Sequence, residues 1–283
     1  MTVTPAAAAS PVMIEVGGVP TAVIDTGAAD QNLPLLLLHG SGPGVTATAN
    51  WRLVVPGFAA RRRVIAPDQL GFGGTATGED RQFGRQAWTR HAVGLLDQLG
   101  IDQVDVVGNS MGGSIALSLA ASQPDRVRRL VLMGTMGVDM ALPPGLDAVW
   151  GYAPSLDAME RTIRLFTDDE RLITGDLVRL RYEASIQPAV RDSWAAMFPP
   201  PRQRWVDDLA LDRQQLAQLT HPVLLVHGRD DHVVPLRSSS LPLLDLLPRA
   251  ELHVFGGCGH WTMIERTQPF IALVQEFLDR PDR

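Results

Sequence analysis

Cysteine is nearly missing from the 283-residue chain: Cys258 stands alone, so no disulfide closes within it. That usage fits a reducing compartment. Met1–Pro11 also lacks the positive start and strong apolar core of a secretory signal, and a cytoplasmic location is the expectation. Long hydrophobic runs are missing too. Aliphatic stretches such as Leu35–Leu38 are strand-sized, far short of the ~20 residues that cross a bilayer, so no membrane partner is expected. There is no excess of basic charge. The 25 basic and 31 acidic side chains leave a net charge of −6. The compact basic run Arg61–Arg63 precedes an apolar strand and reads as a solvated helix end, so nucleic acid is excluded as a partner. Low complexity is confined to Ala6–Ala9, in an Ala- and Pro-rich stretch that reads as a loose tail. With 45% apolar and 20% charged residues, however, the chain has enough apolar surface to fold.

Apolar segments alternate with helical patterns. Strands are expected at Val12–Val16, Thr21–Asp25, Leu35–Leu38, Val64–Ala66, Val104–Val107, Leu130–Met133, Val223–His227 and Glu251–Phe255. The later ones are continuous apolar runs, as parallel strands buried on both faces require. Between them, Arg85–Leu99 sets Ala87, His91, Leu95 and Leu99 on one stripe and stops at Gly100. Met111–Ser122 is small and apolar and stops before Pro124, and Phe270–Leu278 closes the pattern. Such alternation implies a doubly wound α/β domain. It breaks at residues 137–212, a helix-like stretch holding Trp150, Trp194, Trp205 and Pro199–Pro201. A structureless loop of that length is improbable, so an inserted helical cap is expected. The α/β core then comprises residues 1–136 and 213–283.

The chemistry-bearing residues sit just after strands. Gly108-Asn109-Ser110-Met111-Gly112 joins an expected strand to an expected helix. Glycines two before and two after the serine permit a sharp turn that exposes its hydroxyl, and the helix N-terminus suits a developing oxyanion. Taken alone, this segment also fits a Gly-rich turn that merely packs a helix on a sheet. A serine nucleophile needs a base, and the base needs an orienting carboxylate. In Gly228-Arg229-Asp230-Asp231-His232-Val233-Val234-Pro235 the Gly-x-x-Asp spacing, by analogy with α/β-hydrolase acid turns, selects Asp231 over Asp230. His260 lies in the glycine-rich Gly256–Trp261 loop; His91, His221, His227, His232 and His253 match no such loop and read as ordinary surface or core histidines. His39-Gly40-Ser41-Gly42-Pro43-Gly44 supplies a second oxyanion N–H at Ser41, beside that of Met111. It fails both phosphate-loop spacings. Cys258-x-His260 without a second pair is not a zinc signature, so no metal is expected.

Beyond these motifs the chain resembles the meta-cleavage-product C–C hydrolases of the α/β-hydrolase superfamily. The resemblance runs from about Val19 to Leu278. It is carried by HGSGPG at 39–44, RRVIAPDQLGFG at 62–73, VGNSMGG at 107–113, RVRRLVLMG at 126–134 and HVFGGCGHW at 253–261. The cap phrases GLDAVWGY at 145–152 and AAMFPPPRQRWVD at 195–207 are most similar to 2-hydroxymuconate-semialdehyde hydrolases. The resemblance implies an α/β-hydrolase fold: a mostly parallel eight-stranded sheet flanked by helices, with a helical cap. It implies no cofactor and a small anionic dienoate substrate, a 2-hydroxy-6-oxohexa-2,4-dienoate, cleaved by water to 2-hydroxypenta-2,4-dienoate and a carboxylic acid after ketonisation. Ser110, Asp231 and His260 would be catalytic, and Ser41 and Met111 would form the oxyanion hole. Arg181 would hold the dienoate carboxylate, with Arg179 and Arg191 as equal-looking neighbours in sequence. Gly42, Asn50, Asn109 and Trp261 would line the substrate site. The cap has few aromatics to set the 6-substituent pocket, Tyr152 and Tyr182 being its tyrosines. A homo-oligomer is expected. Two other readings share the scaffold: a carboxylesterase, which has no use for Arg181, and a silent binding protein, which has no use for the triad.

Overall fold

The computed structural model describes residues 10–27, 32–75, 77 and 82–281; the Ala6–Ala9 tract and most of the expected N-terminal tail lie outside them. Eight strands form one sheet: β1 (Val12–Val16), β2 (Val19–Asp25), β3 (Leu35–Leu38), β4 (Val64–Pro67), β5 (Val104–Asn109), β6 (Val127–Met133), β7 (Val223–Gly228) and β8 (Ala250–Phe255). Their order is β1-β2-β4-β3-β5-β6-β7-β8. β1, β2 and β4 pair antiparallel, and every later pairing is parallel. Every residue of β3, β4, β5 and β7 is buried, which explains runs such as Leu35–Leu38 that do not alternate.

β8 departs from that expectation. It is the sheet edge, paired with β7 alone, and its residues are half-buried or exposed. Glu251 and His253 turn toward solvent, so only part of this strand is core. The buried stripe of the Arg85–Gln98 helix is also rotated from the expected one. Trp88, Ala92, Leu95 and Leu96 are buried, whereas Ala87, His91 and Leu99 are half-buried. The indole of Trp88 claims the core position and donates to the Leu70 carbonyl at 2.9 Å, while His91 meets the Thr21 hydroxyl at 2.9 Å. Arg61–Arg63 is not a solvated run. Arg62 is 1% exposed and pairs with the buried Asp105 at 3.0 Å and with Asp279 at 2.6 Å, and Arg63 pairs with Asp25 at 2.6 Å.

Six α-helices lie between β6 and β7: Pro144–Trp150, Leu156–Phe166, Gly175–Ser185, Pro188–Met197, Gln203–Leu209 and Arg213–Ala217. Local chemistry sets their starts. Ser155 and Thr174 are N-caps whose hydroxyls accept from Ala158 N and Leu177 N, and proline occupies the first turn of two others. No helix among the described residues is long and apolar enough to cross a membrane.

Candidate active site

Ser110 follows β5 directly at φ 55° and ψ −119°, the one positive-φ residue other than glycine among those described. Such a backbone costs ~1–3 kcal/mol and persists only where neighbours hold it. The holders are visible: Ser110 N donates to Met133 O at 2.9 Å, and Ser110 O accepts from Gly113 N and Met136 N at 3.0 and 3.1 Å. The turn is also too crowded for side chains. A Cβ on Gly108 would lie 2.5 Å from Gly112 O, and one on Gly112 would lie 2.1 Å from Leu38 O. Met111 is the first residue of the following helix, so its N–H has no acceptor within the helix. Gly40 brings the Ser41 loop against this turn, because a Cβ there would meet Ser110 Cβ at 2.9 Å. The Ser41 hydroxyl accepts from Trp150 Nε1 at 2.9 Å, tying the loop to the first helix after β6.

Asp231 and His260 meet against Gly134, just after β6, where a Cβ would lie 3.0 Å from His260 Nδ1 and 3.1 Å from Asp231 Oδ2. His260 Nδ1 lies 2.6 Å from Asp231 Oδ2, and both residues are buried. Oδ1 of Asp231 accepts from Val233 N and Val234 N at 2.8 Å each. Burial alone would raise this carboxyl's pKa, but the imidazoles of His260 and His227 and these N–H bonds hold it well below the usual range. An ionised Asp231 requires Nδ1 of His260 to carry the proton, which leaves Nε2 as the basic nitrogen. Asp230 stays outside the pair and faces Arg229 at 3.5 Å.

Arg181 is the least expected group energetically. It is 6% exposed in the Gly175–Ser185 helix and has no carboxylate partner among the described residues; Nη2 donates weakly to Pro43 O at 3.3 Å, and Nε has no partner among them. Burial, then the neighbouring charge of Arg52, lowers its pKa to about 10. Its guanidinium lies 5.8 Å from the ring of Trp261 and against Gly42, where a Cβ would sit 3.6 Å from Nη2. Arg181, Asn50 and Trp261 line one cavity of about 550 Å³ together with Arg52, Leu177 and Leu180. Asn50 Nδ2 is buried and also lacks a partner. Asn109 differs: its Nδ2 is spent on Met133 O at 3.2 Å, bracing the elbow. Arg179 and Arg191 do not line this cavity. A larger recess, about 690 Å³, lies between β1 and the Arg85–Gln98 helix; neither it nor the 550 Å³ cavity is lined by Ser110, Asp231 or His260, and the latter comes nearest through Trp261, the residue after His260.

Several site residues had escaped the sequence reading. Phe166 ends the Leu156–Phe166 helix and stacks on both Trp261 (5.0 Å) and His260 (5.7 Å). Glu265 accepts from Gly259 N at 2.9 Å and from Asp168 N at 3.1 Å, bridging the His260 loop to the segment after that helix. His227, four residues before Asp231, is a core histidine as expected, yet its Nε2 reaches Asp231 Oδ2 at 3.3 Å. His39 is buried with Nδ1 on Gly40 O and Nε2 accepting from Gln69 N, and burial lowers its pKa to about 4. The expectation of few cap aromatics does not hold. Trp150 and Phe198 stack at 4.5 Å and Trp194 packs edge-on, lining a cavity of about 260 Å³ with Tyr152. Tryptophan and phenylalanine, rather than tyrosine, supply the rings. Cys258 is fully buried, and burial raises its thiol to about 12.

The α/β hydrolase fold family model matches residues 34–267. The chain is 54% identical over 265 residues to the 2-hydroxymuconate semialdehyde hydrolase of Pseudomonas sp. strain CF600, covering 94% of this chain and 92% of that one. It is 49% identical over 270 residues to a 2-hydroxy-6-oxo-2,4-heptadienoate hydrolase of Pseudomonas putida, with 95% and 96% covered. Among solved structures, the meta-cleavage product hydrolase of Pseudomonas fluorescens IP01, as a serine-to-alanine mutant complexed with acetates, superposes with a TM-score of 0.92 at 47% identity, covering 95% of this chain and 98% of that one. The chain therefore belongs to the α/β-hydrolase fold family and, within it, to the meta-cleavage product hydrolases.

Proposed function

We propose that the protein is a C–C bond hydrolase of 2-hydroxymuconate semialdehyde or its 6-alkyl analogues. The observation that carries this reading is Arg181: a buried guanidinium without a counter-ion among the described residues, facing a cavity it shares with Asn50 and Trp261. A planar fork of N–H donors fits a carboxylate, and the dienoate substrate supplies one.

The proton on the 2-hydroxyl moves to C5, giving the 2-oxo-3-ene with a saturated carbon beside the C6 ketone. Ser110 Oγ then adds to C6 while His260 Nε2 takes its proton, and the N–H groups of Ser41 and Met111 receive the oxyanion. The C5–C6 bond breaks, and its electron pair passes through the C3–C5 unit to O2. Protonation of that dienolate gives 2-hydroxypenta-2,4-dienoate, and water then releases the acyl group as a carboxylic acid. The elbow serine supports this acyl-enzyme route over activated water. Gly42 and Asn50 flank the dienoate, and Asn109 contributes by holding the elbow. Residues 137–212 form the cap over this site, and residues 1–136 and 213–283 form the core. The single cysteine, which is buried, supports a reducing cytoplasm as its place of work; a homo-oligomer with neither nucleic acid nor membrane as a partner completes the reading.

The test is direct. Adding the enzyme to the yellow ring-fission product of catechol or 3-methylcatechol should bleach it, and Ser110→Ala should not. Rapid hydrolysis of p-nitrophenyl acetate without bleaching would replace this reading with a carboxylesterase.

A further inference from the structure

The cavity beside Arg181 contains a second cation that the reaction does not use. Arg52 caps the C-terminal end of the short Ala47–Trp51 helix, two residues after Asn50, and lines the same 550 Å³ space. Its Nη1 donates to Ala49 O at 2.6 Å, and it has no carboxylate partner among the described residues. The third arginine of this lining, Arg171, is neutralised by Asp169 through two bonds of 2.7 and 2.8 Å. Two like charges thus face one cavity without a counter-ion. Arg181 is buried at the inner end and Arg52 is exposed at the rim. The rim is also greasy: Leu180 is 65% exposed beside it, and Leu172, Leu177 and Ile264 continue inward. A mouth that is both cationic and apolar matches an amphipathic anion, a carboxylate on an unsaturated carbon chain. The protein's net charge of −6 repels such an anion from a distance, so attraction has to come from local charge.

We propose that Arg52 is an anion-capturing residue at the cavity mouth, taking the carboxylate of an incoming dienoate and passing it inward to Arg181. The direction of entry rests on the hydrolase reading above, whereas the anion site itself does not. The same residue receives the departing hydroxypentadienoate, which is also an anion. Capture at a solvent-exposed cation is a screened Coulombic effect, so its mark is salt dependence rather than a fixed contribution.

Sorbate, a hexa-2,4-dienoate with no ketone to cleave, is the probe, with the uncharged sorbamide as control. Calorimetry on the wild type should show sorbate affinity falling as salt rises. In Arg52→Gln, affinity at low salt should drop about three- to tenfold and the salt dependence should flatten. Arg52→Glu should be weaker still, Arg52→Lys should recover most of the loss, and sorbamide should bind all four proteins alike. Equal sorbate affinity and equal salt slopes in wild type and Arg52→Gln would overturn the proposal, as would absence of sorbate binding or a matching loss for sorbamide. Salt-dependent binding through Arg52 in an enzyme that fails to bleach ring-fission product would refute the hydrolase reading and leave the anion site standing. Bleaching with Arg52 neutral to sorbate binding would do the reverse.

Discussion

Replacing Arg181 with methionine should make the ligand-free protein more stable and the enzyme much worse. The side chain is 6% exposed, and among the described residues its Nε has no partner and no carboxylate pairs with it. Its pKa of about 10 is at least two decades below that of a solvated guanidinium. At roughly 1.4 kcal/mol per decade, the folded state carries a cost of about 3 kcal/mol for keeping it charged. The sign is fixed. A cation whose folded pKa is depressed destabilises the fold at every pH at which it is protonated in both states, which includes neutrality. Methionine removes that cost and keeps the apolar stem, but gives up the cation–π contact with Trp261, worth ~1 kcal/mol. The net gain is about 1–2 kcal/mol, which for a chain of this size raises Tm by about 2–3 °C. Lost charged hydrogen bonds to the substrate, at ~1.5–3 kcal/mol, should lower kcat/KM by a factor of about ten to a hundred. Thermal melts with and without sorbate, together with bleaching kinetics, measure both effects. Sorbate should raise Tm in the wild type and hardly at all in the variant. A variant that melts lower and keeps kcat/KM within twofold would refute the reasoning, because Arg181 would then be a structural residue.

Other outcomes follow from the same structure. Burial holds His39 neutral, with Nε2 accepting from Gln69 N, and puts its pKa at about 4, below the ordinary 6.5. Stability from this group is complete above pH 6.5 and falls as pH drops toward 4, by about 3 kcal/mol in all; urea unfolding of wild type and His39→Asn across that range should diverge by this amount, and parallel curves would contradict the assignment. Gly112→Ala drives a methyl into the Leu38 carbonyl and should cost ~1–3 kcal/mol or more along with most turnover, whereas unaltered melting would show that the elbow has slack. Cys258, raised to about 12 and fully buried, should resist Ellman's reagent in the native protein and react once on unfolding. Rapid native labelling would place the thiol in a looser loop than described.

The parts of the fold that could be read in the sequence were those written in short-range chemistry. The central strands β3 to β7 stand out because a buried parallel strand leaves an apolar run with glycine punctuation after it. Those same glycines flag Ser110, Asp231 and His260, since a side chain reaching over the strand tops needs a turn that only small residues allow. Charge partners were not legible. Arg62 looked solvated because its neighbours in sequence are arginines, but Asp105 and Asp279, 43 and 217 residues away, draw it into the interior. Phe166 gave no signal at all. A phenylalanine at a helix end is ordinary until the fold sets it against His260. His227 had a signal that went unread: a histidine four residues before the acid, on a buried strand.

The ties around His260 bear on what the cap can do. Trp261 N donates to Phe166 O at 2.9 Å, Asp168 N donates to Glu265, and the Phe166 ring lies on both Trp261 and His260. The end of the Leu156–Phe166 helix is therefore bonded to the loop that carries the base. By contrast, the next helix, Gly175–Ser185, meets the Ser41 loop through one long bond, Arg181 to Pro43 at 3.3 Å, and through close backbone packing at Gly44. A substrate carboxylate bound by Arg181 adds charged bonds at the weaker of these two junctions, beside the oxyanion loop. Binding energy from the carboxylate, at the far end of the substrate from the scissile ketone, would thus be delivered to the loop that carries Ser41. That is the arrangement needed if a remote carboxylate is to raise kcat as well as affinity. A substrate lacking the carboxylate should then lose turnover rate even at saturation, while Ser110 and His260 remain in place.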